Sequence, residues 1–134
     1  MKPLVVDTSL WIYWLRGSHN ELREEARNRV LFLPSIVVME LLSGAHTKKS
    51  YQLISDIIET FERHRRILVP GLEEFKQAGS VLSDLGWPAS KKSNDALIAV
   101  CARKIGAEIW TCDYSDFTPL ADHLRVSLKK ITSP

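Results

Sequence analysis

Five carboxylates sit where apolar segments end or are interrupted. Asp7 closes the run Leu4, Val5, Val6 in "LVVDTSLW". Glu40 breaks the apolar stretch "SIVVMELLSG", and Asp95 opens "NDALIAVCARKIGA". Asp113 follows "EIWT" in "EIWTCDYSDF", with Asp116 three residues later. Each acid has an ordinary explanation. An Asp in the first turn of a helix complements free amides and the macrodipole, an Asp after a strand often makes a turn, and Glu40 could pair with a basic side chain. The joint pattern is harder to explain that way, because no basic residue adjoins Asp7 or Glu40 in sequence and a charge among apolar neighbours is costly without a partner. Carboxylates brought together repel, so some must stay protonated or a cation must neutralise them. A donor set made only of oxygen selects a hard ion such as Mg²⁺ or Mn²⁺.

The elements that must deliver these acids alternate in type. Leu4, Val5 and Val6 read as a buried strand. Thr8 or Ser9 is placed to cap a helix carrying Trp11, Ile12, Trp14 and Leu15, which Gly17 stops. Residues 20–29 form a charged, exposed helix, and Val30, Leu31, Phe32 and Leu33 a second strand closed by Pro34. Ser35 is expected to cap a helix bearing Glu40. Residues 50–65 keep a helical period through Leu53, Ile54, Ile57, Ile58 and Phe61. Ile67, Leu68 and Val69 make a third strand, and residues 72–85 a helix. Ser93 is expected to cap a helix over 94–104, which puts Asp95 in its first turn and ends at Gly106. Residues 108–111 give a fourth strand and 124–128 a possible fifth. Strands alternating with helices predict a parallel α/β sheet covered on both faces, in one domain spanning 1–134. In such a sheet, loops after the strands open on one edge, where ligands bind.

Composition narrows the field. The 134 residues are 45% hydrophobic and 25% charged, with a net charge of +2, which is ordinary for a globular domain and does not by itself announce a nucleic-acid binder. Cys101 and Cys112 offer neither a disulfide framework nor a zinc spacing, and a reduced, cytoplasmic setting is expected. No apolar run approaches the ~20 residues of a membrane span. His19, His46, His64 and His123 are scattered in polar contexts, so neither histidine chemistry nor a Cys–His nucleophile competes for the site.

The segments "LVVDTSLWI", "VVMELLSG", "NDALIAVCA" and "TCDYSDF" resemble, in order and spacing, the acidic motifs of PIN-domain ribonucleases, and most closely those of VapC-type toxins of type II toxin–antitoxin pairs. The resemblance runs from Val5 to Phe117. It implies a three-layer α/β/α sandwich with a central parallel sheet of about five strands. It also implies a Mg²⁺- or Mn²⁺-dependent endoribonuclease that leaves a 5′ phosphate and a 3′ hydroxyl. Asp7, Glu40, Asp95 and Asp113 fall on the family's acidic positions, Asp116 on a further acid that some members carry, and Ser9 on a supporting hydroxyl. Thr111 is a second candidate support. Cys112 departs from the basic or polar residue common there. Lys91 and Lys92, just before Asp95, and Arg16 are candidate RNA contacts. The likeness further implies a cognate antitoxin and a homodimer. Trp11, Trp14, Leu15, Ile54, Ile57 and Ile58 would either line the antitoxin groove or form ordinary core.

Three rival readings follow from the same residues. One is a PIN-domain enzyme of RNA maturation without an antitoxin. Another is a phosphate receiver or phosphatase using Asp7 as nucleophile, although Ser9 stands where a phosphatase would usually want a second Asp. The third is a silent module that binds RNA or protein.

Overall fold

The computed structural model describes residues 2–134. Five strands form one sheet: β1 (Pro3–Val6), β2 (Val30–Pro34), β3 (Ile67–Leu68), β4 (Glu108–Thr111) and β5 (Leu128–Lys130). Their order is β3-β2-β1-β4-β5, and every pairing is parallel. Seven helices connect them: α1 (Thr8–Leu15), α2 (Asn20–Arg27), α3 (Ser35–Ser43), α4 (Lys48–Arg63), α5 (Leu72–Leu85), α6 (Ala89–Ile105) and α7 (Tyr114–Leu124).

Parallel neighbours need crossovers, and right-handed crossovers fix the faces. The chain steps from β1 to β2 to β3 in one direction, using α1 to α4. It then returns through α5 and α6 to β4 on the other side of β1, and continues through α7 to β5. Helices α5, α6 and α7 pack on one another, as do α1, α3 and α4. The result is the expected α/β/α sandwich. Strand order reverses between β1 and β4, so their carboxyl ends flank the crevice where open α/β sheets bind ligands.

The core explains why β1 is so apolar. Leu4, Val5 and Val6 are covered on both sides and fully buried, as are Ile109 and Trp110 of β4. Burial of one such side chain contributes roughly 1.5–3 kcal/mol. Register then does the positioning. Val6 pairs with Trp110, and Asp7 N–H donates to the Trp110 carbonyl at 3.1 Å. Asp7 therefore emerges one step past the last pair, beside Thr111.

Four local expectations are corrected. Helix α6 begins at Ala89, not near Asn94, so Asp95 is the seventh residue of its helix and lies beyond the first turn. The helix-terminus explanation of that acid no longer applies. Asp7 itself, not Thr8 or Ser9, is the N-cap of α1, accepting from the amides of Ser9 and Leu10. Pro34 occupies the N-cap of α3, with Ser35 its first residue. The fifth strand is Leu128–Lys130, while Leu124 ends α7, a helix absent from the sequence reading. Gly106 does end α6, in the left-handed conformation (φ +66°) that glycine adopts without penalty.

Candidate active site

The acid at the end of β1 is the most constrained. Asp7 is 3% exposed. Its Oδ1 accepts from Ser9 N–H at 3.0 Å, Leu10 N–H at 3.4 Å and the Ser9 hydroxyl. Its Oδ2 accepts from the Thr111 hydroxyl at 2.6 Å. Thr111 Oγ1 in turn accepts from Asp113 N–H at 2.8 Å. One fully buried hydroxyl thus links the carboxylate after β1 to the backbone after β4. Burial raises the Asp7 pKa above the ordinary carboxylate value, the bonds from Ser9 and Thr111 oppose the rise, and the charge of Asp113 adds to it.

Glu40 comes from α3, the helix that follows β2. The Thr8 hydroxyl donates to its Oε1 at 2.6 Å, and Asn94 Nδ2 donates to Oε2 at 3.4 Å. Neither Thr8 nor Asn94 was marked as a site residue by sequence. Each lies next to one of the acids, Asp7 or Asp95, which is the only signal the sequence carried. Asp95 projects from the second turn of α6, and its pKa is pushed up to about 6. Burial is the main cause. Lys92 opposes it, while Asp116, Asp7 and Glu40 reinforce it.

The fourth acidic position is split between two residues. Asp113 is exposed and is the N-cap of α7, but its side chain makes no capping bond. Asp116, in the first turn of α7, is 3.0 Å from Lys92 Nζ. Lys91 is exposed in the first turn of α6. Arg16 caps the far end of α1, about 13–14 Å along the helix from Asp7 at ~1.5 Å per residue. Cys112 is partly buried, and its N–H donates to the Ser9 hydroxyl at 3.4 Å. Trp11 and Trp14 are 4% and 2% exposed, so they are core, yet they also line a cleft of about 270 Å³ with Leu31, Ile57 and Phe61. Their indole nitrogens are buried without an acceptor. Leu15, Ile54 and Ile58 belong to the same core, not to this lining.

A hard divalent ion fits this chemistry. The donors are all oxygen, and the charges of neighbouring carboxylates add to the raised pKa values of Asp7 and Asp95. Among the described residues, no three acidic, histidine or cysteine side chains already close on one point. Asp7, Glu40, Asp95 and Asp113 are the groups that would hold the ion.

The Thr111 hydroxyl is the connection most easily tested. Thr111→Val keeps the shape but leaves a buried carboxylate oxygen and an amide N–H without their partner. A loss of about 1–3 kcal/mol is expected in denaturant unfolding, with most of it restored in Thr111→Ser. Equal stability of the Val variant and the wild type would remove the link.

These features define a class: a parallel α/β domain with an acidic, oxygen-donor site at its switch point. Residues 4–121 match the PIN domain family, and the chain belongs to that family. PIN domains are generally nucleases. Similar solved structures include VapBC2 of Rickettsia felis bound to a DNA fragment from their promoter. That match has 20% identity, covers 96% of this chain and 98% of that one, and has a TM-score of 0.70. VapBC-1 of nontypeable Haemophilus influenzae is 23% identical, with 96% and 97% covered and a TM-score of 0.69. DNA-bound VapBC of Salmonella typhimurium is 20% identical, with 97% and 98% covered and a TM-score of 0.72. A sequence search of curated proteins finds no significant match. No helix among the described residues is long and apolar enough to cross a membrane.

Proposed function

We propose that this chain is a divalent-metal-dependent endoribonuclease and the toxin half of a toxin–antitoxin pair. The observation that supports the nuclease reading is the coupling of acids from separate elements near the β1–β4 switch point, where the charge of Asp113 acts on Asp7 and those of Asp7, Glu40 and Asp116 act on Asp95. The toxin reading is supported by the likeness to the VapBC structures across nearly the whole length of both chains.

When bound, Mg²⁺ or Mn²⁺ supplies positive charge to the scissile phosphate and lowers the pKa of the attacking water. The chain's own groups do the rest. Asp7 is fixed by Ser9, Leu10 and Thr111, so it offers its charge without reorganising. Glu40 is gripped at both oxygens, which suits it to orienting the water in line with the departing 3′ oxygen. Asp95 and Asp113 complete the set. Lys91, exposed at the start of α6, is placed for an RNA phosphate. Arg16 is far enough along α1 to meet only a more distant part of the strand.

The cleft beside Trp11, Trp14 and Phe61 is the proposed seat of an apolar antitoxin segment. Met39, Val69, Leu72 and Phe75 are exposed apolar residues, and three of them line one hollow. That face is the proposed homodimer contact.

Incubation of the purified chain with total RNA is the direct test. Discrete fragments with 5′ phosphates should appear with Mg²⁺ or Mn²⁺ and vanish with chelator. Cutting that persists in chelator would sink the metal reading. No cutting by folded, antitoxin-free protein over a broad set of RNAs would favour a silent binding module.

A further inference from the structure

The acid cluster carries its own cation. Lys92 Nζ is 3.0 Å from Asp116 Oδ1 and 5.3 Å from the centroid of the Trp87 ring. The clamp draws on three segments. Trp87 comes from the turn between α5 and α6, Lys92 from the first turn of α6, and Asp116 from α7. An ammonium resting on an indole face and bonded to a carboxylate is fixed twice over. The Lys92 side chain is only 27% exposed, so it is not a freely moving surface lysine. Its charge also bears on Asp95 and Asp113.

The two acids of the fourth position therefore stand differently. Asp116 already has a charge partner. The Asp113 side chain makes no hydrogen bond or ion pair among the described residues, while its backbone is tied through Thr111 to Asp7. We propose that Lys92, clamped by Trp87 and Asp116, is a positioning residue that withholds Asp116 from the ion and leaves Asp113 as the fourth acid. This rests on the reading of the site as a metal site.

Charge makes the test specific. Lys92→Gln alone removes one positive charge near the ion and frees Asp116. Mn²⁺ should then bind about tenfold more tightly, the effect of one unit charge several ångströms from a divalent ion in a water-like medium. The double variant Lys92→Gln with Asp116→Asn removes a neutral pair and keeps the net charge of the wild type. Its Mn²⁺ affinity should stay within about threefold of wild type.

Calorimetric titration of Mn²⁺ into the full, metal-free chain reads all three proteins, with thermal melts confirming that each is folded. Lys92→Met serves as a second neutral replacement. A double variant weaker by tenfold or more would make Asp116 a ligand and overturn the proposal. So would a Lys92→Gln variant that binds Mn²⁺ no better than wild type. Wild-type protein that binds no Mn²⁺ would instead retire the metal reading, and this assignment with it.

Discussion

Asp7→Asn should reduce metal-dependent RNA cleavage by at least about 10³-fold while leaving the protein as stable as before, or more so. The two effects have separate causes. Asn is as good a helix cap as Asp, so its side-chain oxygen can still accept from the Ser9 and Leu10 amides that Asp7 satisfies, and its Nδ2 can donate to the Thr111 hydroxyl oxygen in place of the bond that Asp7 Oδ2 accepts. The change removes a buried negative charge whose pKa is already raised by burial and by Asp113, and with it a destabilising term at neutral pH. The same charge is what a metal at the switch point requires. Loss of a well-placed electrostatic group is commonly a 10²–10³-fold effect, and loss of a metal ligand is expected to be no smaller. RNA cleavage assays and thermal melts on the same preparation give both numbers. A variant retaining more than about 1% of wild-type cleavage would show that the ion is held elsewhere.

Asp95→Asn should behave alike in activity, and its stability should carry a pH signature. In the folded chain the Asp95 pKa stands near 6, against an ordinary 3.8. Because the folded value is the higher one, the sign follows directly. As pH rises between these two values, the unfolded chain gives up its proton first, so the folded state loses stability. Above pH 6 the loss is complete. The Asn variant does not ionise, so its advantage over metal-free wild type should be small at pH 4, grow to about pH 6.5 and then stay level. With a discount for partial exposure, the plateau is about 1–2 kcal/mol, or roughly 4–7 °C in Tm. Added Mg²⁺ should erase the difference by stabilising only the wild type. An advantage that shrinks as pH rises would contradict the assigned environment.

Sheet architecture was legible because its signals are local. Short β-branched runs ending in Asp7 or Thr111 name strands and their exits without tertiary information. The acids were legible because a charge inside an apolar run is conspicuous. Helix α7 was not, since Pro119 lies inside it and its first turn, "YSDF", reads as a loop. The start of α6 was hidden in the same way, because "ASKKS" is polar and follows Pro88. A sequence reading that begins that helix late puts Asp95 at the terminus and supplies a false reason for its charge. Ser9 and Thr111, the expected supporting hydroxyls, do hold Asp7, but what holds Glu40 and Asp116 could not be read. Thr8 and Glu40 are 32 residues apart, Asn94 and Glu40 are 54 apart, and Lys92 and Asp116 are 24 apart. Such pairs exist only once the sheet order is known.

The hydroxyl of Thr111 has a consequence for how the molecule fails under heat. It fastens the exits of the two innermost strands, and the Asp7 amide is bonded to Trp110 in the same place. The amides of Asp7 and Asp113 should therefore be among the slowest to exchange with deuterium, opening only when the central sheet opens. The acidic site then has no private melting transition. Inactivation and global unfolding should share a single midpoint, whereas an enzyme whose groups hang on a mobile loop goes silent well before it unfolds.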